Sequence, residues 1–149
     1  MESTSTNADL QSTKIVAYAL MGGLAIFVLI VSYLNQSGNG IGSGALIDPT
    51  IDLALVGGVG LMCLLSSRFV SNQLLQNASR EDKQDLSKAA GIYRSAKIVR
   101  LALLEGAGLM GAVFALITGN NLLLLIALFM LAMMWLVKPS EQEFAEWRG

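Results

Sequence analysis

Four long apolar segments restrict the fold of this chain more than any other feature. They cover about residues 14–34, 49–70, 98–118 and 121–138, and each contains roughly 18 to 22 residues. Since a helix rises about 1.5 Å per residue, each segment is long enough to cross a hydrocarbon layer of about 30 Å. Only 14% of the residues are charged, compared with about 25% in soluble domains. The pattern predicts an all-α integral membrane protein with four transmembrane helices in an antiparallel bundle.

The chain outside these segments is short. Residues 1–13 are polar, which predicts a flexible N-terminal tail. Residues from about 70 to 97 are predicted to form a helical hairpin outside the membrane, because Ser79 and Asp82 have the spacing of a capping box. Residues 139–149 begin with a proline, which ends the fourth helix, and form a short acidic tail. Too little chain remains for a separate soluble domain.

The distribution of basic residues predicts the orientation of the chain. Most of the ten lysines and arginines lie around the middle hairpin, Lys14 precedes the first span, and Lys138 and Arg148 follow the last. The other two loops contain neither lysine nor arginine. Because cytoplasmic loops are enriched in these residues, both termini and the hairpin are predicted to be cytoplasmic. We expect a multi-pass protein of the cell inner (cytoplasmic) membrane.

The residue inventory argues against an enzyme. The sequence contains no histidine and one cysteine, which removes the commonest catalytic bases and the His-ligated haem and zinc sites. We expect no catalytic residue, no metal site and no cofactor. The lone Cys63 lies in an apolar run and is interpreted as a small buried apolar side chain. A net charge of −1 gives no electrostatic basis for binding nucleic acid.

Two carboxylates mark the start of the second span. Asp48 precedes Pro49, and proline is favoured at the first helical position, so Asp48 is predicted to cap the free amides of this helix. Asp52, one turn later, faces the positive end of the helix dipole. Both residues are therefore interpreted as helix-capping groups rather than as ligands of an ion.

Small residues recur at four-residue spacing in two of the spans. Such spacing allows the backbones of membrane helices to approach closely. The predicted helix-packing residues are Gly57, Gly58 and Gly60 in the second span, and Ala107, Gly108, Gly111, Ala112 and Ala115 in the third.

Glu105 is the only acidic residue well inside a predicted span. A carboxylate at the centre of a membrane helix costs about 2.5 to 3.5 kcal/mol on insertion, so it should face protein or water. Three interpretations are open: a hydrogen-bonded strut between helices, a partner of a cation in this or another chain, or a site that binds and releases a proton or sodium ion. Arg100 lies five positions away, about 140° around the helix, which makes pairing with Glu105 awkward.

The stretch from Ala102 to Ile117, with Glu105 among leucine, alanine and glycine, resembles the carboxylate helix of the proteolipid c subunits of rotary ATPases. The resemblance covers about residues 50–118, because the glycines of the second span would belong to the glycine-rich helix that precedes the carboxylate helix. It implies that Glu105 is the ion carrier. The chain is equally similar to small four-helix membrane proteins of bacteria, a resemblance that implies no particular activity.

The features together predict a noncatalytic integral membrane subunit or accessory protein of a larger membrane complex. The alternative is a proteolipid-like subunit that carries protons or sodium ions on Glu105. The expected partners are the lipid bilayer and other membrane protein subunits, with a homo-oligomer as a further option and no nucleic acid.

Overall fold

Helices account for nearly all of the regular structure. The computed structural model describes residues 2–38 and 48–148. Six helices occur in these ranges: α1 Glu2–Gln36, α2 Pro49–Gln76, α3 Arg80–Gln84, α4 Leu86–Thr118, α5 Leu122–Leu136 and α6 Glu141–Arg148. No strand occurs in the described part of the chain. The prediction of an all-α fold is confirmed.

Three helices are long and apolar enough to cross a membrane, and a bent pair adds a fourth candidate. The three are Gln11–Gln36, Thr50–Gln76 and Leu86–Thr118. The fourth candidate combines α5 and α6, which meet at an angle of 65°. With 15 residues, α5 spans about 22 Å by itself, less than a full hydrocarbon layer of about 30 Å. Helix α5 is therefore too short to cross the membrane by itself, and the fourth predicted span reaches the required length only if residues after α5 are included.

Helix α4 occupies the centre of the bundle. It packs along α1, α2 and α5, whereas α1 and α2 share almost no contact in the described ranges. Helix α5 also contacts both α1 and α2. The buried core between these helices contains leucine, valine, methionine and alanine, with Leu24 of α1, Leu104 of α4 and Met130 of α5 among its fully or nearly fully buried members. A helix that contacts three neighbours needs small side chains on several faces, because each neighbour must come close. The buried alanines and glycines of α4 meet this requirement.

The predicted packing residues of α4 lie where its neighbours approach most closely. All five are buried. A Cβ atom added to Gly111 would lie 3.2 Å from the backbone oxygen of Leu123 and 3.4 Å from the backbone nitrogen of Ala127. A Cβ atom on Gly108 would lie 2.7 Å from a methyl group of Leu24. These two glycines therefore allow α5 and α1 to approach α4.

The glycines of α2 have three different environments. Gly60 is buried against α5, since an added Cβ atom would lie 3.2 Å from the terminal methyl group of Met130. Gly57 lines an apolar groove between α2 and α5. Gly58 is exposed, and an added Cβ atom would meet no other atom within 4 Å. The three glycines thus do not form one packing surface.

Side-chain capping contacts mark the starts of α2 and α3. The Asp48 carboxylate accepts a hydrogen bond of 2.8 Å from the amide of Thr50 at the start of α2, and this bond lowers the pKa of Asp48. Ser79 and Asp82 form a reciprocal capping box at the start of α3. The hydrogen bond from the Ser79 hydroxyl is the main cause that lowers the pKa of Asp82.

The N-terminal residues differ from the expectation of a flexible tail. Helix α1 begins at Glu2, so residues 2–13 continue the helix of the first span. Once a helix has nucleated, each further residue adds one backbone hydrogen bond, and propagation costs far less than nucleation. The long apolar helix therefore provides a nucleus for the polar residues that precede it.

Candidate functional site

Glu105 lies on the side of α4 that faces α1. One carboxylate oxygen is 3.9 Å from the position of a Cβ atom added to Gly23. The residue is partly exposed, and it has no hydrogen bond or ion pair with any described residue. The glycine leaves space for the carboxylate against α1 but provides no polar group to satisfy it. Among the residues that the structure describes, Glu105 therefore has no polar partner.

An exposed face of α4 lies next to this carboxylate. Ala102, Gly106, Val113 and Ile117 are exposed and fall within about 60° of one another around the helix axis. We call these four residues the open face. Gly111, which packs on α5, lies about 180° from Ala102, so the open face points away from α5. It lies between α1 and α2, the two helices that barely touch each other.

Two glycines make the surface around Glu105 accessible to another backbone. Gly23 on α1 and Gly106 on α4 are both exposed. A Cβ atom added to Gly106 would meet no other atom within 4 Å. Gly106 was not among the predicted packing residues, because the glycine pattern in the sequence does not distinguish an internal contact from an open surface.

Arg100 does not pair with Glu105. No ion pair joins the two side chains among the described residues, and the Nε atom of Arg100 is buried without a hydrogen-bond partner. The charges that act on Arg100 are instead those of Arg68, which repels it, and Glu143, which attracts it. The awkward spacing of Arg100 and Glu105 along one helix agrees with this arrangement.

Asp52 has a more buried environment than a carboxylate at a helix start normally has. It is 4% exposed, and its Oδ2 atom has no hydrogen-bond partner in the described ranges. Asp52 lies in the first turn of α2, the position at which a carboxylate is predicted to interact with the helix dipole. Asp52 and Glu105 are not brought together by any described contact.

A partly buried ion pair between α4 and α6 was not predicted from the sequence. Lys97 of α4 is 1% exposed, and its Nζ atom lies 2.6 Å from both carboxylate oxygens of Glu143 in α6. Tyr93 donates a hydrogen bond of 3.3 Å to the same carboxylate, and its ring lies beneath the Lys97 ammonium at 5.5 Å. Lys97 was interpreted only as a basic residue that determines topology. Its partner lies 46 positions further along the chain, beyond the reach of local sequence patterns.

Helix α6 packs on the hairpin through aromatic residues. Tyr93, Phe144 and Trp147 lie within 5.2 to 6.3 Å of one another between ring centres. The indole of Trp147 donates a hydrogen bond of 3.3 Å to the backbone oxygen of Leu75 at the end of α2. The residues that were predicted to form a short tail therefore form α6, which is in contact with both α2 and α4. In the sequence, the three-residue spacing of Phe144 and Trp147 indicates a helix with one apolar face, and this spacing could have predicted that α6 packs on another element.

Comparisons with protein-family models, with curated proteins and with solved structures found no match for this chain. The resemblance to proteolipid c subunits therefore depends on the residues of α2 and α4 alone. Among the residues that the structure describes, no group of three histidine, cysteine, aspartate or glutamate side chains could hold a metal ion. Cys63 is a partly buried free thiol.

Proposed function

We propose that this chain is a noncatalytic integral membrane subunit that binds another transmembrane chain through the open face of α4. The observation that carries the proposal is Glu105, a carboxylate inside an apolar helix that has no polar partner among the residues described in ranges 2–38 and 48–148. A carboxylate in this position costs about 2.5 to 3.5 kcal/mol when it faces hydrocarbon. A second chain that donates a hydrogen bond or a positive charge to Glu105 removes this cost.

The shape of the surface supports the same proposal. Exposed glycines on either side of Glu105, Gly23 and Gly106, allow the backbone of a partner helix to come close. Close approach favours helix association in a membrane, where packing and hydrogen bonds replace the hydrophobic effect as driving forces. Helices α1 and α2 barely touch each other in the described ranges, so neither of them needs to move apart for a partner helix to pack on the open face.

The proposed orientation places both termini and the α2–α4 hairpin in the cytoplasm, with the chain in the cell inner membrane. The support is the cluster of lysines and arginines at one end of the bundle. The Lys97–Glu143 contact brings the C-terminal helix to this same end. Glu105 then lies within the inner half of the bilayer.

Substitutions on the open face test the proposed assembly. We expect Gly106→Leu and Glu105→Leu each to reduce the amount of partner chain that co-purifies in mild detergent by at least about tenfold, or about 1.4 kcal/mol. The reason is that one substitution blocks close approach and the other removes the polar contact. Gly58→Leu on α2 is the matched control, because Gly58 is also an exposed glycine with open space around it.

The measurement is native gel sizing together with mass-spectrometric identification of the chains that co-purify. A wild-type protein that remains a lone monomer at all loadings contradicts the proposal. Equal loss of partners in the Gly106→Leu and Gly58→Leu variants contradicts the assignment of the interface to α4.

The second candidate function is transport of a proton or sodium ion on Glu105. It is favoured by the same unpartnered and partly exposed carboxylate, since an ion carrier must be able to release its ion. We expect a hydrophobic carbodiimide to label Glu105, and Glu105→Gln to abolish proton or sodium movement in proteoliposomes. An unlabelled Glu105, or full transport by the Gln variant, excludes this function but leaves the assembly proposal intact.

A further inference from the structure

Two cavities meet near the cytoplasmic end of α1. The first, with a volume of about 330 Å³, lies between α1 and the bend that connects α5 to α6. Its polar lining includes Lys14, Lys138, Ser140 and Glu141. The cavity therefore presents two ammonium groups and one carboxylate at the predicted membrane edge.

The second cavity is an apolar groove of about 520 Å³ between α1 and α5. Its lining includes Met21, Gly22 and Ala25 from α1 and Leu131 and Trp135 from α5. Tyr18 lines both cavities. The charged cavity and the apolar groove therefore lie on either side of the Tyr18 side chain.

The aromatic residues at the junction have the arrangement of a membrane interface. Tyr18 and Trp135 make an edge-to-face contact with ring centres 6.4 Å apart. The Nζ atom of Lys138 lies 4.4 Å from the centre of the Trp135 ring. Tryptophan and tyrosine concentrate at the level of lipid headgroups, so the junction marks the boundary between the charged cavity and the hydrocarbon groove.

The charges in the first cavity leave one positive charge in excess. Lys14 forms an ion pair of 2.7 Å with Glu141, and the hydrogen bond from Lys14 lowers the pKa of Glu141. Lys138 has no carboxylate partner among the described side chains. Two lysines against one carboxylate favour an anionic ligand, and the ammonium of Lys138 is available to bind it.

We propose that the two cavities together bind one anionic phospholipid. The phosphate lies between Lys14 and Lys138, and one acyl chain lies along the groove between α1 and α5. Basic pockets between transmembrane helices on the cytoplasmic side bind anionic headgroups by the same combination of charge and apolar contact. This site requires that α1 and α5 lie in the membrane, and it is independent of the role of Glu105.

The ligand chemistry predicts opposite effects for two charge changes. Lys138→Gln removes the unpaired ammonium and should weaken binding of phosphatidylglycerol by about fivefold. Glu141→Gln removes the competing carboxylate, releases Lys14 and should tighten binding. Lys88→Gln is the matched control, because Lys88 is an exposed lysine of the hairpin that does not line this cavity.

The acyl-chain groove is tested by Gly22→Leu. Gly22 lines the groove and a Cβ atom added to it meets no other atom within 4 Å, so a side chain at this position starts in open space and occupies part of the groove. We expect reduced binding of phosphatidylglycerol and an unchanged unfolding temperature. A Gly22→Leu variant that binds this lipid as tightly as the wild type overturns the placement of the acyl chain.

The measurement is native mass spectrometry of the full-length protein in detergent, titrated with phosphatidylglycerol, phosphatidylcholine or inorganic phosphate. The proposal expects preference for phosphatidylglycerol over phosphatidylcholine and no competition by millimolar phosphate. Equal binding of the two lipids overturns it, as does an unchanged affinity in Lys138→Gln. Competition by phosphate alone assigns the site to a free anion rather than to a lipid.

Discussion

Gly111→Leu is expected to prevent the native packing of α4 against α5. The closest neighbours of a Cβ atom at this position are the backbone oxygen of Leu123, at 3.2 Å, and the backbone nitrogen of Ala127, at 3.4 Å. Because these neighbours are backbone atoms, they cannot move aside as a flexible side chain can. Gly111→Ala already requires a shift of α5 and should cost on the order of 1 to 3 kcal/mol of unfolding free energy. Leucine adds three carbon atoms that have no space.

The measurement is thermal unfolding of the purified variants in one detergent. Gly106→Ala is the control, because it is also a Gly→Ala change in α4 but points into open space and should leave the unfolding temperature unchanged or slightly higher. Gly108→Ala should have an intermediate effect, since its closest neighbour is a methyl group of Leu24, which can rotate. A Gly111→Leu variant as stable as the wild type would falsify the close approach of α5.

Glu143→Ala is expected to release α6 from the rest of the molecule. The substitution leaves the ammonium of Lys97, which is 1% exposed, without a counter-charge. Removing one partner of a fully buried pair costs about 3 to 5 kcal/mol. Because the Glu143 side chain is 47% exposed, we expect a smaller cost of about 2 kcal/mol, close to that of a hydrogen bond to a charged group. Amide hydrogen exchange in α6 should increase accordingly.

Lys97→Met provides the discriminating comparison for this contact. Methionine fills a similar volume and removes the buried charge together with its cost, so the effect on the unfolding free energy should be less than about 1 kcal/mol. Glu146→Ala in the same helix is the control, because Glu146 is exposed and should leave α6 protected from exchange. If Lys97→Met releases α6 as fully as Glu143→Ala, the cause is the loss of the Lys97–Glu143 ion pair itself rather than an uncompensated charge on Lys97.

The Lys97–Glu143 contact indicates how the hairpin end of the bundle is organised. Helix α6 bends by 65° from α5 and places Phe144 and Trp147 on the hairpin. Trp147 then contacts the end of α2 through Leu75 and the start of α4 through Tyr93. The last helix thus connects segments that are distant in the sequence.

Several elements could be predicted because their causes are local. The apolar length of each segment predicts a helix that can cross a membrane, and three such helices occur with a fourth candidate in the bent pair. Asp48 and Ser79 cap helices through amides only two or three residues away. The membrane orientation, the location and the function remain predictions.

The candidate site could be predicted only in part. Glu105 stands out in the sequence because a carboxylate in an apolar helix is costly wherever the helix packs. Its surroundings could not be predicted, since spacing along α4 does not determine which side faces α1, α2 or α5. The same limit applies to the glycines: Gly111 and Gly106 look alike in the sequence, but one is buried against α5 and the other is exposed.

The amino-acid sequence by itself determined that this chain forms apolar helices, where two of them are capped and that one carboxylate lies among apolar residues. These properties depend on composition and on contacts within a few residues. Only the tertiary structure decided that α4 is central, that Lys97 meets Glu143 and that Glu105 has no partner in the described part of the chain. Such outcomes depend on how helices rotate and pack, and packing brings together side chains that no short stretch of sequence contains.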